Sequence, residues 1–159
     1  EADVVGAEFA ERSSVESLVR NFEALLADAD LREALDILEV GPFRFSRRRR
    51  LKREFRSLYV GLWRLALRRS FPRNYDAVFH AYMERQAARA KEGDEEYVSV
   101  DLVLQYVDKL KEHGDSDFFE VSRHILSLLE FDETRTRVLL LKLALHLRRM
   151  YRYFFDHLL

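Results

Sequence analysis

The chain has 159 residues, of which 48% are hydrophobic and 35% are charged, and its formal net charge at pH 7 is −1. This length predicts a single domain over 1–159 with one sizeable core, and the composition excludes an intrinsically disordered chain. The absence of cysteine excludes disulfides, thiolate metal sites and a cysteine nucleophile. Together with the lack of a signal-peptide pattern, it favours an intracellular, cytoplasmic location.

The small net charge conceals strong segregation of charge along the chain. Residues 1–43 carry eleven acids and three bases, and residues 74–133 carry fifteen acids and six bases. The segment 44–73 instead carries twelve bases and one acid, and 134–159 carries six bases and one acid. Such asymmetry is typical of a site for nucleic acid or an acidic partner, but also of acidic helices that pack beside basic ones. The charges alone leave both interpretations open.

The first two helices are predicted from cap patterns followed by apolar residues at helical spacing. Residues 1–12 lack this periodicity, so we expect a disordered lead-in there. Ser13 and Glu16 then form a capping-box pattern that begins a helix. Asp30 and Glu33 repeat the pattern and predict a second, shorter helix.

The central helix is predicted over 46–69, with Ser46 as its N-cap. Trp63 lies close to the apolar side of this helix, so core packing is its expected role. The apolar positions themselves are spaced 4-3-4-3, which predicts one inward stripe made of Leu51, Phe55, Leu58, Leu62 and Leu65.

Three further helices precede a last, long one. Asn74 and the 115–117 segment supply cap patterns for two of them, and residues 97–100 are interpreted as the lead-in to the third rather than as a strand. Asp132 opens the last helix, which runs to about His157. The predicted fold class is therefore all-α, a compact bundle of six or seven amphipathic helices with the central and last helices at its centre.

The strongest functional pattern is a group of arginines on the central helix. A rotation of 100° per residue predicts a solvent-facing basic ridge opposite the apolar stripe, made of Arg49, Arg53, Arg56 and Arg64. Arg47, Arg48 and Arg50 lie beside it and complete the candidate set for binding an anion or a partner.

The basic ridge suits a phosphate backbone, because each neutralised phosphate releases counterions. The competing interpretation is that the acidic N-terminal segment and the 92–96 loop neutralise the ridge within the domain. No base-reading motif is present. Contact with a membrane surface through Phe43, Phe45 and Trp63 is disfavoured because Trp63 belongs near the core.

A second candidate surface lies on the last helix, which has apolar residues nearly all round. Val138, Leu141 and Leu145 fall on the side away from its main inner face, among Arg148, Arg149 and Arg152. The three apolar residues are candidates for protein contact if they are not buried internally. The preferred function is therefore a non-catalytic protein–protein interaction domain of the adaptor or scaffold type. Its partner would be another protein or a second copy, and nucleic-acid binding through the basic helix around 44–69 is the alternative.

Few residues carry catalytic or metal-binding potential. His80 with Glu84, and Glu120 with His124, are spaced to share a helix face, but no two-histidine metal motif is present. His146 has no obvious partner. Because Gly-rich phosphate loops and nucleophile motifs are also missing, the sequence predicts no enzyme, no cofactor and no metal.

Overall fold

The computed structural model describes residues 2–29, 31–41, 44–93, 98–112 and 117–159, with the side chains of 2–13 and 112 excepted. The elements of these ranges are seven helices: α1 (Ala2–Asp28), α2 (Arg32–Ile37), α3 (Phe45–Ser70), α4 (Tyr75–Lys91), α5 (Val100–Glu112), α6 (Phe119–Ser127) and α7 (Glu133–Asp156). The same ranges contain no strand. The predicted all-α bundle of six or seven amphipathic helices is confirmed.

Helix α3 forms the centre of the bundle. It packs against α1, α2, α4, α5 and α7, and every residue from 57 to 67 is buried. All five residues of the predicted inward stripe are buried as well. At Gly61 a Cβ atom would come within 3.0 Å of a Leu110 methyl group, so the missing side chain lets α5 approach α3 closely.

An aromatic cluster joins α3 to three other helices, α1, α4 and α7. The rings of Phe22 on α1 and Trp63 on α3 are stacked, with centroids 4.0 Å apart and an interplanar angle of 6°. Tyr82 on α4 meets both rings edge-on, and Phe154 on α7 meets Phe22 edge-on. All four side chains are buried, which confirms that Trp63 belongs to the core.

Helix α7 has a buried inner face and an exposed outer face. Its inner residues Leu139, Leu143, Leu147 and Phe154 pack against the rest of the bundle, chiefly α3 and α6. Just after its end, Asn21 of α1 donates hydrogen bonds to the carbonyl oxygens of His157 and Leu158. α7 therefore covers the core from one side. No helix in the described part of the chain has the length and apolar character needed to cross a membrane.

Two helix starts differ from the sequence predictions. α1 begins at Ala2, so the expectation of a disordered lead-in over 1–12 is wrong for residues 2–12. That segment is rich in alanine and glutamate, which favour a helix without a strong apolar period. α3 begins at Phe45, so Ser46 lies inside the helix; the N-cap residue is Arg44, which makes no side-chain cap bond.

The remaining cap predictions give mixed results. Asp132 caps α7, since its Oδ1 accepts a hydrogen bond from the Arg135 amide at 2.7 Å. Asn74 occupies the N-cap position of α4 without a side-chain cap bond. Asp117 accepts from the Phe119 amide at 3.1 Å. The predicted positions at 30, 97 and 115–116 lie outside the described residues.

Candidate functional site

Most of the predicted basic ridge is open to solvent. Arg49, Arg53 and Arg56 are exposed along the first half of α3, and none of them forms an ion pair with any residue that the structure describes. Arg47 and Arg50 beside them are exposed too. The predicted neutralisation by the protein's own acids is therefore not seen for these arginines within the described ranges.

Two polar contacts anchor this part of α3 to its neighbours. Arg48 donates from its guanidinium to the Val40 carbonyl at 3.0 Å, which ties α3 to the segment after α2. Glu54, the one acid in 44–73, accepts a hydrogen bond from the Tyr106 hydroxyl on α5. Burial, and then this bond, raise the pKa of Tyr106. Glu54 is thus directed toward α5, and no residue that the structure describes forms an ion pair with Arg49, Arg53 or Arg56.

Arg64 does not belong to the exposed ridge, and its predicted position is wrong. Its side chain is only 7% exposed, because the start of α4 covers this part of α3. The guanidinium carbon lies 5.3 Å from the Tyr75 ring centroid and 5.5 Å from that of Phe79, and a nitrogen lies 3.9 Å from Asp76. These aromatic faces and the carboxylate stabilise the charge in place of water.

The three candidate contact residues on α7 are exposed. Val138 keeps 43% of its surface accessible, Leu141 keeps 54% and Leu145 keeps 50%. They are spaced by three and four residues, so they form one row along the helix. The sequence prediction required that this row should not be buried internally. The structure meets this condition.

The row continues into the basic part of α7 that was predicted to lie on the same side of the helix. Arg148, Arg152 and Phe155 follow Leu145 at the same alternating spacing of three and four, and all three are exposed. The six residues are called the α7 seam below: Val138, Leu141, Leu145, Arg148, Arg152 and Phe155. The two arginines interrupt the apolar pattern, so the heptad-like spacing that joins them to Phe155 was not recognised from the sequence.

Two depressions flank the α7 seam where the arginines lie. One is an open groove of about 490 Å³, which Glu33 and Ile37 of α2 line together with Leu145, Arg148 and Arg152. The other depression is lined by the same two arginines with Phe155 and Asp156, and also by Arg69 and Phe118. A side chain from a partner would find an apolar wall and a cation in either depression.

His146 lies beneath this groove, and the expectation that it has no partner is wrong. The imidazole is buried, with Nε2 2.8 Å from the Tyr59 hydroxyl and Nδ1 3.6 Å from a Glu33 carboxylate oxygen. Arg149 reaches the same oxygen at 3.0 Å. Burial lowers the pKa of His146; the Glu33 carboxylate opposes this shift and Arg149 adds to it. The missed signal was Tyr59, a polar-tipped residue beside the inward stripe of α3.

The other histidine pairs predicted from spacing are simple surface features. His80 and Glu84 lie 3.1 Å apart with both side chains exposed. Glu120 pairs with Arg123 instead of His124, and the His124 ring packs edge-on against Tyr106 at 5.7 Å. Within the described residues, no three His, Asp or Glu side chains are placed to share a metal ion.

Comparison with known proteins provides no relative to guide the interpretation of these surfaces: no family model, no curated protein and no solved structure matches the chain.

Proposed function

We propose that this chain is a non-catalytic protein-interaction domain, of the adaptor or scaffold type, whose contact surface is the outer face of α7. The main support for this proposal is that Val138, Leu141 and Leu145 lie exposed in a row on a helix whose opposite face is buried in the core. A single exposed leucine, such as Leu104 on α5, needs no special explanation. A contiguous row marks a surface that another chain covers.

Burial of this row in a complex would contribute usefully to affinity. A leucine that passes from full exposure to burial contributes on the order of 1.5–3 kcal/mol, so each half-exposed leucine of the row contributes about half of this before the costs of association. The three residues sit on a regular helix that is fixed from behind by Leu143 and Leu147, so little ordering is needed when a partner binds.

The buried polar groups support a binding role rather than a catalytic one. Tyr59 and His146 satisfy each other inside the bundle, and neither side chain is accessible to a substrate. Glu33, which lies beside His146 at the surface, forms an ion pair with Arg149. A general acid or base must reach the proton that it transfers, and the buried Tyr59 and His146 do not meet that requirement.

Photo-crosslinking tests the proposed surface. A benzoylphenylalanine placed at 141 or 145 is expected to crosslink a specific protein in the native host, whereas the same probe at the matched exposed position 104 should not. The captured protein is then purified and should bind the wild-type chain and the Leu104→Glu variant, but not Leu141→Glu/Leu145→Glu. Equal binding to both variants, with all three chains equally folded by circular dichroism, would remove α7 as the contact surface.

A second candidate function is nucleic-acid binding through the first half of α3. Its specific support is the uncompensated charge of Arg49, Arg53 and Arg56, which stand exposed with no ion-pair partner in the described part of the chain. Their spacing of four and three residues keeps them on one helix face, so several phosphates of one backbone are within reach. This surface lies on a different helix from the α7 seam, so the two functions are separable by mutation.

Salt-dependent binding to DNA tests this second candidate. The wild-type chain should bind a fluorescent duplex at about 50 mM salt and release it by about 200 mM, with an affinity loss of roughly tenfold or more for a few phosphate contacts. Arg49→Glu/Arg53→Glu/Arg56→Glu should abolish the binding. The matched control is the charge reversal Arg123→Glu on α6, which should leave binding nearly unchanged. A wild-type chain that does not bind at low salt would eliminate the candidate.

A further inference from the structure

The α7 seam has the spacing of one edge of a coiled coil. Its six residues alternate by three and four from 138 to 155, which is the a/d pattern of a heptad repeat. On an α-helix this seam is about 25 Å long. A partner helix of about five turns would therefore contact the seam along its whole length.

Charge on and beside the seam is mostly positive. Arg148 and Arg152 occupy two of the six seam positions. Of the flanking positions that follow the seam residues in heptad packing, Lys142 and Arg149 are basic and Asp156 is acidic. Glu33 is already engaged by Arg149 at 3.0 Å. A partner that buries this seam must therefore supply carboxylates, because an arginine enclosed without a counter-charge is strongly unfavourable.

A second α7 does not meet this requirement. Two parallel α7 helices in register would place Arg148 and Arg152 against their own copies. Two antiparallel helices with fully overlapping seams would place the same arginines against Leu145 and Leu141. In neither arrangement does the seam residue opposite Arg148 or Arg152 carry a carboxylate, and the parallel one adds like-charge repulsion.

The apolar residues of the seam determine where the partner must present apolar side chains. Val138, Leu141 and Leu145 form one apolar block, and Phe155 forms a shorter one beyond the two arginines. The depressions on either side of the arginines contain Ile37 in one case and Phe118 in the other, so apolar side chains of a partner can enter them. An arginine stem can cover such apolar contacts while its head reaches a carboxylate.

From these features we infer that the α7 seam binds an acidic amphipathic helix of another protein. Its apolar stripe faces Val138, Leu141, Leu145 and Phe155, and carboxylates at two successive stripe positions pair with Arg148 and Arg152. This inference rests on the proposed function and adds the chemistry of the partner to it.

Defined peptides test the inference on the full chain. The acidic probe is a helical peptide of about 21 residues with six stripe positions, four leucines and two neighbouring glutamates, prepared in the two orders that suit parallel and antiparallel docking. The control peptides carry lysine in place of both glutamates. By fluorescence anisotropy, one acidic peptide should bind the wild-type chain at least about tenfold more tightly than its lysine counterpart, a difference of about 1.4 kcal/mol.

Charge reversal on the protein should invert this preference. Arg148→Glu/Arg152→Glu should favour the lysine peptide over the acidic one, and raising the salt concentration should weaken both preferences. Arg49→Glu/Arg53→Glu, a matched reversal on exposed arginines of α3, should keep the wild-type order. Leu141→Gln/Leu145→Gln should lose both peptides.

Several results would overturn the inference. These are equal binding of the acidic and lysine peptides, no binding of either acidic peptide, or a wild-type preference retained by Arg148→Glu/Arg152→Glu. A homodimer in sedimentation that Leu145→Glu dissociates would also overturn it, since the occupant would then be a second copy. In each case crosslinking to a partner at 141 would leave the proposed function standing, whereas loss of crosslinking at 141 and 145 removes that function itself.

Discussion

Helices α3 and α7 lie side by side, are similar in length and both carry many arginines, yet they distribute their side chains in opposite ways. On α3 the exposed positions of the first half are mainly arginines, and the apolar residues from Leu51 onward face the core. On α7 three large apolar residues and Phe155 are exposed, while a histidine is buried beneath them. Within the described residues the exposed arginines of α3 have no ion-pair partner, whereas the outer side of α7 exposes large apolar side chains.

This difference favours the outer face of α7, rather than the basic ridge of α3, as the contact surface for the proposed partner. An exposed arginine is fully hydrated, so the basic ridge is stable without any ligand. An exposed apolar row on a rigid helix keeps ordering water around it, and its removal from water is favourable whenever a complementary surface arrives. Variants of the two helices test the contrast between α3, which is buried on all sides from 57 to 67, and α7, which is buried on one side.

The largest expected effect is at the aromatic centre of α3. Trp63→Ala should lower the free energy of unfolding by about 3–5 kcal/mol, because it removes the stack on Phe22 and leaves a cavity. Trp63→Phe should cost less, since a smaller ring still reaches Phe22. The control is Phe45→Ala, an exposed aromatic residue at the start of the same helix, which should change stability by less than about 0.5 kcal/mol.

Urea unfolding followed by circular dichroism measures all three variants. A small effect of Trp63→Ala, comparable to that of Phe45→Ala, would contradict the placement of α3 at the centre of the bundle.

A smaller effect is expected at the buried arginine of α3. Arg64→Ala should lower the free energy of unfolding by about 1–3 kcal/mol, through lost packing and lost cation–π contact with Tyr75 and Phe79. Arg64→Met keeps the aliphatic stem and should recover part of this loss. Arg53→Ala on the exposed side should stay within about 0.5 kcal/mol of the wild type. Equal thermal shifts for Arg64→Ala and Arg53→Ala would mean that Arg64 is not enclosed.

The inward stripe of α3 was predictable because five apolar residues at a strict 4-3-4-3 spacing leave one solution for a helix. The burial of Arg64 was not, because helical periodicity places it opposite the stripe and only the approach of α4 encloses it. His146 shows the same limit. Its partners Tyr59 and Glu33 lie 87 and 113 positions away, and no local pattern relates such residues. The sequence predicted that the apolar row of α7 lies on the same side of the helix as Arg148 and Arg152. That this side stays exposed needed the structure, because the packing of the other helices decides which face is covered.

The histidine beneath α7 predicts a pH dependence of stability. In the folded state the pKa of His146 lies below its ordinary value of 6.5. As the pH falls, the unfolded chain therefore binds a proton at this histidine before the folded chain does. The contribution to stability is therefore complete above about pH 6.5 and is lost progressively as the pH decreases toward the folded-state pKa. His146→Gln should reduce the decrease in unfolding free energy between pH 7 and pH 5. His80→Gln, at an exposed histidine, is the control, and an unchanged pH slope in His146→Gln would contradict the burial of the imidazole.

The smallest effect on stability is expected on the outer face of α7, where the effect on binding should be largest. Leu141→Gln and Leu145→Gln should each change the free energy of unfolding by less than about 0.5 kcal/mol, because about half of each side chain already contacts water. Leu143→Gln, two residues from either site but fully buried, should destabilise by several kcal/mol, since it leaves an amide without a partner in the core. Thermal unfolding of the three variants makes the comparison within one turn of one helix. If Leu141→Gln were as damaging as Leu143→Gln, the row would be part of the protein's own core, and α7 would have no free face to offer a partner.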